Sequence, residues 1–113
     1  IAPFLGGKSL INEIADMGGL IAWKPRSQGK IGYQRSIWLW VKQYNTRRDL
    51  PKLFLGYGLD DPFAYSNELM GQVLPKDHVI KVRGGHDWES WQDIFTKWVH
   101  LLRRRDLLEV AAD

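Results

Sequence analysis

The stretch Gly84-Gly85-His86-Asp87-Trp88-Glu89-Ser90-Trp91 gathers an imidazole, two carboxylates and two indoles into one short segment. Imidazole is the side chain best suited to move protons near neutral pH. His86 follows Val79-Ile80-Lys81-Val82, which alternates like a strand, and precedes Ile94 to Leu102, which reads as an amphipathic helix. A histidine on a Gly-Gly turn at such a junction can act as a general base. A partner acid lies upstream, in Gly58-Leu59-Asp60-Asp61-Pro62-Phe63. An Asp that accepts the Nδ1 proton of a His fixes its tautomer and steadies the imidazolium formed during proton transfer. Asp61 is favoured for this role, because Gly58-x-x-Asp61 sets the carboxylate one turn beyond the tight glycine. Asp60 is expected to cap the following helix or to face solvent.

Plainer readings compete at each position. An Asp before a helix is usually an N-cap, and a His after Gly-Gly can be only a turn residue. Asp87 and Glu89 are expected to favour the first turn of the last helix through its dipole. The spacing of His86 with Asp87 or Asp61 matches no standard ligand pattern, so no metal and no cofactor is expected. His78 reads as a strand-start residue and His100 as a helix-face residue.

The acid and base need strands to hold them. Lys52 to Tyr57, with Leu53, Phe54 and Leu55, is a strand candidate ending just before Asp60 and Asp61. His78 to Val82 is the next strand, ending just before His86. Two neighbouring strand ends would bring carboxylate and imidazole to one rim, where ligands gather in open α/β sheets. Phe63 to Leu74 reads as the intervening helix, with Pro62 in its first turn and Pro75 beyond its end. Ser90 to Arg104 is the last helix, and Leu107 to Asp113 is expected to fray or add a turn. Upstream, Ile1 to Leu5 is apolar and stops at Gly6-Gly7, which suggests a buried strand. Ser9 is expected to cap a helix reaching Met17, ended by Gly18-Gly19. Leu20 to Lys30 reads as loop, Ile31 to Tyr44 as a helix, and Thr46 to Pro51 as a charged linker. The order strand, helix, helix, strand, helix, strand, helix argues for an α/β layer on a parallel sheet. Three strands make a narrow sheet, whose first strand would leave an open edge unless something covers it.

Composition narrows the function classes. The chain has 113 residues, enough for one small domain, with 44% hydrophobic and 26% charged residues. A net charge of +3 is too mild to imply a nucleic-acid partner. Arg103-Arg104-Arg105 is expected to offset the last helix's dipole, and Arg47-Arg48 to be solvated. No apolar run approaches the length of a membrane span. With no Cys there is no thiol nucleophile and no disulfide, which fits both cytosol and exterior, the cytoplasm slightly favoured. The six Trp residues predict heavy aromatic packing. Trp38 and Trp40, two apart, cannot both be buried on one narrow helical stripe.

Leu53-Phe54-Leu55-Gly56-Tyr57-Gly58 with Asp61-Pro62-Phe63-Ala64, Leu74-Pro75, and Gly84-Gly85-His86-Asp87-Trp88 with Trp91 resemble the C-terminal part of α/β-hydrolase-fold serine esterases. The group in question is related to S-formylglutathione hydrolases, siderophore esterases and mycolyltransferases. The resemblance covers most of the chain and implies the C-terminal half of an α/β-hydrolase fold, a short parallel sheet with flanking helices. It implies Asp61 as triad acid, His86 as general base, and an ester small molecule as substrate of the intact parent. Trp88 and Trp91 could wall the acyl or alcohol pocket, though for Trp91 core packing is an equal alternative. Trp23, Trp38 and Trp40 come from a segment where that fold often carries a lid, and some are expected at a pocket mouth. One departure matters. In that family the triad serine sits on a Gly-x-Ser-x-Gly elbow, and none of Ser9, Ser27, Ser36, Ser66 and Ser90 does. Residues 1–113 are therefore expected to be a partial domain lacking the nucleophile elbow, starting just after the elbow helix, and inactive alone. Its expected partners are the missing N-terminal segment or a second copy through strand addition or swapping; the alternative is a non-catalytic assembly module.

Overall fold

The structure is a computed structural model that describes residues 1–26 and 32–112. It is a compact α/β domain. The elements are α1 (Lys8–Asp16), α2 (Tyr33–Lys42), a 3-10 turn (Gln43–Asn45), β1 (Leu55–Gly58), α3 (Ala64–Gly71), a 3-10 turn (Lys76–His78), β2 (Val79–Val82) and α4 (Trp88–Ala112). β1 and β2 pair in parallel, with Leu55 opposite Val79 and Gly58 opposite Val82.

All four residues of β1 are buried, as a parallel strand covered on both faces requires. Its two faces carry different side chains because successive residues point opposite ways. Leu55 and Tyr57 join the core built by Leu10 and Ile14 of α1, Leu20, Trp23, Trp38 and Val41 around α2, and Leu69 of α3. Gly56 faces α4, where a Cβ would collide with Ile94. Missing side chains on that face let the long helix lie directly on the sheet.

Several expected elements shift. Ile1 to Leu5 forms no strand: Ala2 adopts a left-handed conformation (φ 43°), which breaks the extended run. The segment still lies beside β1, where the Ala2 N–H donates to the Gly56 carbonyl at 2.7 Å. Among the described residues the sheet therefore has two strands rather than three. Ser9 does not cap α1; Gly7 holds the N-cap position with no side-chain bond. The helix from Phe63 is shorter than expected, with Phe63 itself as N-cap. α4 runs beyond Arg104 to Ala112. Residues 27–30 of the expected loop, Ile31 at the start of the expected helix, and the Arg105 side chain lie outside the described residues.

A buried polar staple ties α1 to α2. Glu13 accepts from Trp23 Nε1 and from Arg35 Nη2, both at 2.9 Å. Trp38 Nε1 donates to the Leu5 carbonyl at 2.7 Å, and Lys42 Nζ donates to the Trp23 carbonyl. The Arg35 guanidinium holds the Glu13 carboxyl below the ordinary range against the opposing effect of burial.

Candidate active site

The tips of β1 and β2 are joined by two backbone bonds in succession, and a third closes the turn beyond β1. Leu59 N–H donates to Val82 O, Asp60 N–H to Gly84 O, and Asp61 N–H turns back to Gly58 O, at 2.8, 2.9 and 3.1 Å. This close lacing is possible because Gly58 has no side chain. A Cβ there would lie 2.7 Å from the Gly85 carbonyl oxygen and closer still to that of Gly84. Gly84 itself has φ 120°, a conformation L side chains rarely adopt.

The lacing sets the Asp61 carboxylate under the His86 ring. Asp61 Oδ2 lies 2.8 Å from His86 Nδ1. Its other oxygen, Oδ1, accepts from the Phe63 N–H at 2.8 Å. The Asp61 side chain is fully buried, whereas that of His86 is 38% exposed. A carboxylate can only accept, so the Nδ1 proton is the one that bridges. That leaves Nε2 without a hydrogen-bond partner among the described residues. Asp60, by contrast, is exposed, and α3 has no side-chain cap bond. Of the two expectations for Asp60, capping the helix or facing solvent, the second holds, and the local turn is closed by Asp61 through the Phe63 N–H.

The turn carrying His86 is clamped by Asp87. Its Oδ1 accepts from the Ser90 N–H at 2.8 Å and its Oδ2 from the Gly85 N–H at 3.3 Å. These bonds, that to the Ser90 backbone foremost, hold the Asp87 carboxyl below its ordinary value. Asp87 thus caps α4 and also fixes the residue on either side of His86.

Aromatic rings box the imidazole. Phe63 meets it edge-on at 5.3 Å and Trp91 at 4.9 Å, with Trp88 6.4 Å from Trp91. An open cleft of about 370 Å³ runs over His86, walled by Ile1, Ala2, Phe4, Phe63, Trp88 and Trp91. Trp91 is half-buried, and its indole N–H is buried with no partner among the described residues. Trp23 and Trp38 are fully buried in the core, so they line no pocket mouth. Trp40 is exposed and packs edge-on against Tyr44, away from the cleft.

Phe4 and Phe63 were not singled out from sequence as walls, yet their rings pack 5.5 Å apart across the cleft floor. Asn67, fully buried, links their segments: its Nδ2 donates to Phe63 O at 2.8 Å and to Pro3 O at 3.4 Å. The only sequence signal was an Asn, a poor helix former, within the expected helix Phe63 to Leu74. His78 has a structural part, with Nδ1 3.1 Å from Leu53 O and its ring stacked on Phe54. A separate concavity around Tyr57, Glu68, Lys76 and Lys81 holds no paired acid and base of this kind.

No serine lines the His86 cleft among the described residues. Ser66 donates to Phe63 O, Ser90 is buried behind Gly84, and Ser9 and Ser36 are exposed. Among the described residues no group of three His, Asp or Glu side chains suited to a metal exists, and no helix is long and apolar enough to cross a membrane. No family model matches the chain, and neither the curated proteins nor the solved structures contain a significant match to it.

Proposed function

We propose that this chain supplies the acid and base of a Ser-Asp-His site in an α/β-hydrolase-type carboxylic-ester hydrolase, of which it forms the C-terminal half. The observation that carries the reading is the 2.8 Å bond between His86 Nδ1 and Asp61 Oδ2 beside an apolar cleft. Acid and base follow successive parallel strands, in the order Asp then His, as such a site requires. Asp61 orients the ring, and His86 Nε2 takes the proton of a serine hydroxyl. The serine oxygen attacks the ester carbonyl and the alcohol leaves with that proton. Water activated by the same Nε2 then releases the acid. Trp88 and Trp91 wall the substrate side of the ring. The chemistry needs no cofactor.

Nothing among residues 1–113 offers the nucleophile: no serine here has a Gly on each side at the required spacing. The serine and the oxyanion donors must come from another segment or chain. The test is hydrolysis of p-nitrophenyl esters. The 113-residue chain alone gives no turnover. A polypeptide that adds the sequence encoded before Ile1, if it carries Gly-x-Ser-x-Gly, gives turnover that His86→Ala abolishes. An upstream sequence without that motif, or a joined polypeptide whose hydrolysis ignores His86, rejects the proposal.

A further inference from the structure

α4 has two apolar faces, and the domain uses one. Ile94 and Ser90 are buried towards the sheet. On another face Trp88, Phe95 and Leu102 recur every seven residues and are 69%, 62% and 45% exposed. A seven-residue return keeps side chains within about 20° of one line, so the three form a stripe roughly 21 Å long at 1.5 Å per residue. A groove of about 660 Å³ along its first half is lined by Ile1, Trp88, Trp91, Gln92, Phe95 and Thr96, none of them charged. Beyond Gln92 and Val99, about 100° round the helix from the stripe, lies the row Glu89, Thr96, Arg103: an acid at one end, a base at the other, neutral between. Arg104 adds to the basic end.

This distribution distinguishes one occupant. We propose that the stripe is a self-association surface on which α4 packs antiparallel against α4 of a second copy, about a two-fold axis at Phe95. In that arrangement Phe95 meets Phe95, and Trp88 meets Leu102 of the other copy. A two-fold axis across antiparallel helices also brings the same flank of each helix together. Glu89 then stands beside Arg103 of the second copy, and the pair occurs twice because the interface is isologous. Parallel pairing about a two-fold would instead bring opposite flanks together, so that Glu89 and Arg103 would not meet. Because Trp88 also walls the His86 cleft, the second copy's Leu102 closes one side of that cleft. The inference does not depend on the hydrolase reading.

Sedimentation equilibrium of the 113-residue chain over micromolar to millimolar concentrations tests it. A dimer is expected, and Phe95→Glu, a change at an exposed position, gives a monomer with an unaltered circular dichroism spectrum. Glu89→Arg and Arg103→Glu each weaken the dimer about tenfold, since two pairs are lost together at somewhat under 1 kcal/mol each. The double variant Glu89→Arg, Arg103→Glu restores the original affinity. A monomer at every concentration would assign the stripe to some other polypeptide and overturn the proposal. So would a dimer that survives Phe95→Glu, which would place the contact on the sheet rim, or a double variant no tighter than the singles.

Discussion

Gly58 and Gly84 approach so closely that there is no room for a methyl group between the two strand tips. Both contacts at Gly58 are with backbone carbonyls, which cannot rotate away as a side chain could. Gly58→Ala is therefore expected to cost about 3 kcal/mol, the upper range for overpacking. Urea unfolding would measure the loss. The same change should part His86 from Asp61, visible as loss of the bridging imidazole proton by NMR.

His86 should carry its neutral-form proton on Nδ1, because the buried Asp61 carboxylate accepts it. Imidazole ¹⁵N shifts distinguish the two tautomers directly. Asp61→Asn removes the preference, because an amide can donate as well as accept at that position. A wild-type spectrum showing mainly the Nε2 tautomer would contradict the geometry. If the proposed ester hydrolysis holds, the same substitution should lower kcat of the joined polypeptide by about 10⁴.

Glu13 gives the fold an acid sensitivity. Its carboxyl is held below the ordinary range by Arg35. A group with a depressed folded pKa contributes stability above its unfolded value, about 4.3 for Glu, and loses it as pH falls through the folded value. Thermal unfolding midpoints should thus fall below about pH 4, and fall less steeply in Glu13→Gln. At neutral pH that variant should be less stable by about 2 kcal/mol, since Arg35 and Trp23 lose a charged partner in a largely buried setting.

Asp87→Ala should leave the core intact but free the turn around His86. Amide exchange at Gly85 and Ser90 should rise, because both N–H groups lose their acceptor. The Nδ1 proton of His86 should broaden with them. Asp87→Asn, which keeps one acceptor oxygen, should restore the protection at Ser90 but not at Gly85, whose N–H would face the amide NH2.

The sequence shows the strand tips well because their chemistry is local. Alternation before Gly58 and before Gly84-Gly85, with the acid and base just beyond, needs only short-range reading, and β1 and β2 follow it. Asp61 rather than Asp60 also follows from spacing to Gly58. The opening segment was not legible, because a single left-handed residue at Ala2 turns an apolar run away from strand geometry. Nor was the placement of Trp23: its partner Glu13 lies ten residues earlier on another element, and only the folded chain shows them meeting. Phe4 reaches the cleft the same way, through tertiary contact with Phe63. The apolar stripe of α4 was present as a seven-residue spacing, but its exposure depends on which face Gly56 admits.

The staple around Glu13 implies that this domain does not open all at once. α2 is fastened to the body by Arg35, Trp38 and Lys42, each a side chain gripping a distant acceptor, whereas β1, β2 and the turn beyond them are held by a backbone ladder. Side-chain ties release at lower free energy than a buried ladder, so native-state hydrogen exchange should resolve two cooperative units. The helical unit at α1 and α2 would then unlatch first in mild denaturant, while the strand-tip unit stays protected until global unfolding.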